Sequence, residues 1–532
     1  MAVRHDDVHS DPILPSYTEV LTRARRRIER GSLSDPYADV TRRAYVWIAV
    51  VTVLRVFGAA TWGLENTEAY YASWARHPAL SYYDHPGLTA WIVRLTTAFG
   101  ASPLSARLGP LVAATATLLL THAWTRRLFS PRAALWAVGL LSLIPTYFFV
   151  GFTLNPEAVV LPFLLVGWMA LDRMRASTTT PDGARWALLL GGAIGVGFLA
   201  KYTAVLMVPI ALAYLATGAD TRGWFKRPSL YVAGLFALAL ATPVIVWNAQ
   251  HHWPTLTLHL VERTARPSLA VYLSNAKTTA ISQLLVTQPL MLAIALFGAG
   301  YALHRARRDG RYRLLAWAAL PSWLFFLVMM VRVRDAEPHW TMSAYLPMVV
   351  AAAGAIDEWR APSMLARRWT RRLVTAAAAT SFAVYALAFV HGASPWLTER
   401  LPVASHDADP FNESAGWEVN APALLERARA LGPEAPIVGS HNVLCGQLDW
   451  QLGAAIEVDC ASPRRTAYDF FGRRDPSPSA PALYVDSLRY PEDPAKLLPH
   501  HRCGEFSTLT VQRGETEVGT LRLARCLPVS GS

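Results

Sequence analysis

Residues 44–88 read AYVWIAVVTVLRVFGAATWGLENTEAYYASWARHPALSYYDHPGL. The stretch from Ala44 to Trp62 carries one charge, Arg55, and is close to the ~20 apolar residues that a bilayer core requires. Its continuation turns polar at once, placing Glu65, Glu68, Asp84 and His85 among Tyr70, Tyr71, Trp74, Tyr82 and Tyr83. Carboxylates beside a bilayer are costly unless they serve a site. Acids among aromatic rings suit a sugar, because rings stack on its apolar face while carboxylates accept its hydroxyl hydrogen bonds. The competing reading is a hydrated loop with interfacial Tyr and Trp.

The rest of the chain repeats the first pattern. Of 532 residues 53% are hydrophobic and 17% charged, against about 25% charged in a typical soluble domain; the mean hydropathy is +0.23. Apolar runs fall at about 44–62, 104–124, 133–150, 157–172, 186–200, 203–217, 229–247, 284–303, 314–331, 339–355 and 373–391. The expected architecture is therefore an α-helical polytopic membrane protein with about 11 transmembrane helices. Basic loops stay cytoplasmic. Here they follow every even-numbered run, as in Arg126, Arg127 and Arg132, or Arg360, Arg367, Arg368, Arg371 and Arg372. An odd count then puts the C-terminus outside. The net charge of +12 is on this reading a topology signal, not a nucleic-acid footprint.

Three regions follow. Residues 1–43 form a basic cytoplasmic segment, with Arg23, Arg25, Arg26, Arg27 and Arg30 suited to anionic headgroups, and without the apolar core of a signal peptide. Residues 44–394 hold the membrane domain, with long external loops at 63–103 and 248–283 expected to contain re-entrant or interfacial helices; the second carries Arg263 and Arg266. Residues 395–532 change character. Ala435–Gly439 and Ala482–Val485 read as short buried strands, 421–431 and 443–452 as helices, and 505–527 as a closing hairpin, so a soluble α/β domain is expected. All four cysteines, Cys445, Cys460, Cys503 and Cys526, lie there. Two disulfides are expected, Cys445–Cys460 and Cys503–Cys526 being the simplest pairing, in an oxidising compartment. The Asn412-Glu413-Ser414 tripeptide is a glycosylation sequon too common to carry weight.

Glu68-Ala69-Tyr70-Tyr71 and Tyr83-Asp84-His85-Pro86 resemble the first external loop of GT-C membrane glycosyltransferases, the relatives of dolichyl-phosphate-mannose protein mannosyltransferases and aminoarabinose-lipid A transferases. Further similarities follow in order along nearly the whole chain. They are Asn155-Pro156-Glu157, Gly197-Phe198-Leu199-Ala200-Lys201-Tyr202, His339-Trp340, and a last domain from Gly416-Trp417 to Cys526. Two positions depart from the family pattern: Thr67 replaces the Asp of an Asp-Glu pair, and Gly87 replaces a second Pro. Glu65 is a nearby carboxylate that stands in for the missing Asp.

The resemblance implies sugar transfer from a polyprenyl-phosphate donor to a lipid, glycan or protein acceptor, at the plasma (inner) membrane. It implies a base at Glu68 or Asp84, in that order, and Glu65, a nearby carboxylate without a counterpart in the family, ranks last. It implies substrate contacts from Lys201, His85, Tyr70, Tyr71, Tyr83, Glu157, His339 and Trp340, and the residues themselves add Arg55. Lys201 at an external turn suits the carrier phosphate, and the competing reading is a lysine snorkelling to the interface. Arg55 lies inside a span, where a lone guanidinium costs ~2.5–3.5 kcal/mol on insertion scales; Arg107, opening the second run, is a weaker candidate. No Asp-x-Asp pair or ligand cluster demands a metal, so no cofactor is required on this reading; a divalent cation at His85 or His339 stays open. The rival classes are a transporter or flippase, which internal repeats and mid-span carboxylates would mark, and a non-catalytic binder of polyprenyl-linked lipids.

Overall fold

The computed structural model describes residues 38–177, 180–262, 268–333, 336–358, 364–400, 406, 409–471 and 480–529. The basic run at Arg23–Arg30 and Arg263, Arg266 and Arg360 lie outside the described residues. The chain is a multi-pass membrane protein, because each apolar run falls on a helix. In order these are α1 (Ala38–Thr61), then the loop helices α2 (Asn66–Ser73) and α3 (Leu88–Thr96), α4 (Pro103–Leu128), α5 (Pro131–Ser142), α6 (Pro145–Val150), α7 (Pro156–Ala176), α8 (Thr180–Ala200), α9 (Met207–Thr217), α10 (Pro228–Gln250), α11 (Pro254–Thr257), α12 (Leu269–Thr287), α13 (Pro289–Arg305), α14 (Gly310–Arg332), α15 (Met342–Glu358) and α16 (Met364–Ala393).

Proline opens α4, α5, α6, α7, α10 and α13, where its missing N–H leaves no bond unmade. Ser102, Ser130 and Asn155 cap α4, α5 and α7 with side-chain oxygens. By length and composition, six of the described helices can each cross a membrane alone; α12 and α13 form a further bent pair. The run at 133–150 is divided at Leu143–Ile144, and Pro145 starts the second piece. In the second external loop, where re-entrant or interfacial helices are expected, a helix runs from Leu269 to Thr287. This helix is joined to α13 through a 98° bend. Gln288 makes the bend with a φ of 70°, caps α13 by accepting from Met291 N–H at 2.7 Å, and precedes Pro289, which disfavours helical backbone before it.

After α17 (Trp396–Arg400) and α18 (Trp417–Arg429) comes a sheet of β1 (Ile437–Gly439), β2 (Val458–Cys460), β3 (Ala482–Ser487), β4 (His501–Cys503), β5 (Ser507–Arg513) and β6 (Thr516–Pro528). The strand order is β2-β1-β3-β6-β4, with β5 also on β6. β1 is parallel to β2 and β3, while β6 runs antiparallel to β3, β4 and β5. Between β1 and β2 the chain crosses over as α19 (Asn442–Leu452), whose Leu444, Leu448 and Leu452 pack on Ile437, Val485 and Leu523. The expected α/β domain and closing hairpin are therefore present. Both expected disulfides form, Cys445–Cys460 tying α19 to β2 and Cys503–Cys526 tying β4 to β6.

Helix α19 also docks this domain on the first loop. Gly446 lies so close to α2 that a Cβ there would sit 2.4 Å from Tyr70 Cα. Gln447 Nε2 donates to Leu64 O at 2.7 Å, and Asp449 meets His77 Nε2 at 3.2 Å. The sheet domain is thus seated directly over residues 64–77.

Candidate active site

A cavity of about 2570 Å³ lies between the membrane helices and the sheet domain. Small-molecule pockets are usually ~300–1,000 Å³, so this one has room for a large amphiphile. Its walls include Glu65, Thr67, Tyr70, Tyr71, Tyr83, Asp84 and His85 from the first loop, with Glu157, Lys201, His339 and Trp340 from the helices.

The first loop is braced before it is functional. Tyr82 N–H donates to His85 O at 3.1 Å, and the Tyr82 ring stacks on Trp74 with centroids 4.6 Å apart. Tyr82 Oη–H reaches Trp74 O and His77 O. Gly87 has a physical reason here: a Cβ would fall 2.6 Å from the Trp91 indole, which donates to Ala79 O. These contacts hold Asp84 at the cavity edge, half-buried, where Tyr70 Oη–H donates to Asp84 Oδ2 at 2.6 Å. The same hydroxyl accepts from Ala467 N–H at 2.8 Å, so the sheet domain helps to aim it. Burial, and then Asp84, hold the Tyr70 phenol well above its usual range, which keeps it a donor. Tyr70 and Tyr83 are buried, stacking on Tyr468 and Phe470 of the sheet domain, so their faces are spent on protein rings. Tyr71 is half-buried and packs edge-on against His85.

Glu65 is half-buried at the N-cap of α2 and lines the cavity. Burial, and then the neighbouring Glu68 and Glu413, push its carboxyl up to about 8. Glu68 is placed differently. It is 1% exposed and does not line the cavity. Arg107 Nε donates to its Oε1 at 2.8 Å and a second guanidinium nitrogen to Oε2, while Leu154 N–H and Glu65 N–H donate at 2.5 and 3.1 Å. Arg107 is completed by the carbonyls of Ala59, Trp62 and Gly63. This pair ties the end of α1, the start of α2 and Leu154, two residues before α7, together from behind the cavity wall. Arg55 is also away from the cavity: it is 2% exposed and donates to Phe148 O and Tyr147 O of α6, against the close backbone of Gly151.

On the facing wall, α8 stops at Ala200 because Lys201 is extended, at φ −156° and ψ 133°. The side chain then pairs with Glu157 in the first turn of α7. His339 Nε2 lies 3.5 Å from the other Glu157 oxygen. His339 and Trp340 are carried on a turn, Pro338–Thr341, that Gln283 of α12 fixes by donating to Pro338 O at 2.9 Å and accepting from Thr341 at 2.6 Å. Among the described residues, no group of three or more His, Cys, Asp or Glu is placed to hold a metal ion.

Residues 84–247 match the family described as dolichyl-phosphate-mannose-protein mannosyltransferase. The chain is 26% identical over 289 residues to lipid A galacturonosyltransferase RgtD of Rhizobium johnstonii, an alignment that takes in 54% of this chain and spans only 59% of that relative's length. The structure superposes on that of ArnT from Cupriavidus metallidurans bound to undecaprenyl phosphate with a TM-score of 0.62, at 15% identity, covering 90% of this chain and 97% of that one. The fold is that of ArnT. The apo form of the same ArnT gives a TM-score of 0.61 at 14% identity.

Two sets of cavity residues have no counterpart among the residues read from the sequence. Arg332 ends α14 at the cavity, and Arg464, Arg465 and Arg489 with His441 line it from the sheet domain. Arg332 had a signal, since it is a basic residue at a span end that the alternation of basic loops assigns to the outside, against the positive-inside pattern. The domain arginines had none, because nothing in a single sequence aims a loop of one domain at another.

Proposed function

We propose that the chain is a membrane glycosyltransferase that moves a sugar from a polyprenyl-phosphate donor to a lipid, glycan or protein acceptor outside the plasma (inner) membrane. The N-terminus is then cytoplasmic and the sheet domain extracytoplasmic, with the regions 1–43, 44–394 and 395–532 as the working division. The observation that carries this reading is a large cavity with aimed carboxylates on one wall and a buried lysine on the other.

The base is Asp84 or Glu65, the two first-loop candidates that line the cavity; Glu68, which accepts from Glu65 N–H, is a positioning residue. The carboxylate takes the proton of the acceptor hydroxyl or amine, and the acceptor atom bonds to the anomeric carbon. The carbon–oxygen bond to phosphate breaks, and its electron pair leaves with the carrier phosphate. General-base help of this kind is worth roughly 10²–10⁴ in rate. Lys201, released in part from Glu157, and Arg332 supply the charge that the departing phosphate needs. His85, Tyr71, His339 and Trp340 are left to position the sugar, whereas Arg55 serves α6. A divalent cation is not needed in this scheme, and activity after chelator treatment tests that part of it. No observation favours a transporter or a passive lipid binder.

The direct experiment supplies the protein, reconstituted in lipid nanodiscs, with radiolabelled polyprenyl-phosphate sugars. Release of the sugar from the carrier is expected. Failure to turn over any such donor, with no binding of undecaprenyl phosphate, removes the proposal. Reporter fusions after Arg372 and after Phe389 are expected in opposite compartments, and a C-terminus active only in the cytoplasm removes the orientation.

A further inference from the structure

The roof of the cavity is basic, and the proposed chemistry leaves this unused. The loop after β2 carries Arg464 and Arg465, both exposed. It is held firmly: Cys460 joins it to α19, Thr466 N–H donates to Asp469 Oδ2 at 2.6 Å, and Ala467 N–H donates to Tyr70. Arg465 lies over the Phe470 ring at 6.0 Å, and Phe470 stacks on Tyr83, so the arginine sits above the loop that presents Asp84. His441 extends the patch. Its ring lies flat on Tyr490 with centroids 4.3 Å apart, and its buried Nδ1 has no hydrogen-bond partner among the described residues. Burial, and then Arg464, lower its pKa from the usual value. Arg489 is the third arginine of this wall, paired with Glu413 at 2.5 Å.

We infer that Arg464 and Arg465, with His441 beside them, form a second anion-binding site that recognises a carboxylate or phosphate other than the carrier phosphate. The inference rests on the proposed transfer reaction and deepens it, since it assigns a charge to one of the two substrates. The guanidinium fork matches either anion in a bidentate way, which a point charge does not. Lys201 and Arg332 belong to membrane helices, whereas the second site belongs to the domain, so a substrate spanning both walls carries two separated anions. Its source is a carboxylate on the transferred sugar or a phosphate on the acceptor.

The test uses the full chain in nanodiscs and compares wild type with the Arg464→Ala/Arg465→Ala double variant. Five probes are titrated: undecaprenyl phosphate alone, the same carrier bearing a neutral hexose, the same carrier bearing a hexuronic acid, and a diglucosamine lipid with and without its phosphates. The double variant is expected to weaken binding of the hexuronic acid donor or of the phosphorylated lipid about tenfold or more, while their neutral counterparts and undecaprenyl phosphate hold. Which charged probe falls identifies the source. Arg464→Lys/Arg465→Lys is expected to recover part of the loss, because it restores charge without the fork. Unchanged binding of both charged probes overturns the inference, and so does an equal loss for charged and neutral forms. Wild type that binds no undecaprenyl phosphate instead refutes the transfer reading on which the inference stands.

Discussion

Replacing Glu68 by Gln separates a structural carboxylate from a catalytic one. The wild-type side chain accepts four hydrogen bonds, two of them from Arg107, and the two side chains are 1–2% exposed. Gln keeps the shape, removes the charge and turns an NH₂ group towards donors. Arg107 is then a buried cation without its anion. Removing one partner of such a pair costs about 3–5 kcal/mol. For a cooperative unit of 150–250 residues that corresponds to a melting point lower by at least about 6 °C. Thermal melting of the detergent-purified variant reads the loss, beside donor binding and single-turnover transfer. Arg107→Met is expected to be similarly damaging, and Glu68→Met/Arg107→Met less so than the sum of the two single changes, since no lone charge remains. Glu68→Gln that melts like wild type and binds donor normally, yet loses transfer 10²-fold, makes Glu68 the base and refutes the reasoning.

Glu65, raised to about 8, is mostly protonated at pH 7. If it is the base, kcat/KM rises about tenfold per pH unit below 8 and levels above it, and Glu65→Gln abolishes that slope; a flat profile from pH 6 to 9, with Asp84→Asn losing transfer about 10²-fold, assigns the base to Asp84. Lys201→Met leaves the buried Glu157 without its cation, so melting is expected to fall with it; in Lys201→Met/Glu157→Met, where no lone charge remains, melting is expected to recover while undecaprenyl phosphate binding and turnover stay low, and normal binding in that double variant makes the lysine structural. Gly446→Ala drives a Cβ against Tyr70, an overpacking worth about 1–3 kcal/mol. Faster proteolysis between the sheet domain and the membrane half is expected, and wild-type resistance would contradict the docking.

The helices were legible because length and apolarity are local properties. Ala44–Trp62 and Arg371–Ala393 announce themselves without a partner. Leu269–Thr287 was expected only as a loop helix and not at its full length, since Ser274, Asn275, Lys277 and Gln283 dilute its hydropathy, and three of these face the cavity or the turn beneath His339. The disulfide pairs were readable from nearness in the chain. Of the candidate site residues read from the sequence, Asp84, His85, Lys201 and His339 line one cavity. The sequence did not reveal that Glu68 and Arg107, 39 residues apart, spend their charges on each other. Neither did it show that Arg55 serves two carbonyls, or that Arg464 reaches the cavity. Each of these depends on a pairing between distant segments, which leaves no periodic trace in either of them.

The single hydroxyl of Tyr70, accepting from Ala467 and donating to Asp84, has a consequence for how such proteins can diverge. A sheet domain exchanged with that of another member brings a different loop over the site and withdraws the backbone N–H that orients the tyrosine. Residues 66–85 and 460–471 are therefore expected to work only when exchanged together, although nearly 400 positions separate them. Chimaeras that move the domain alone should fold and lack activity, and those that carry both segments should keep it.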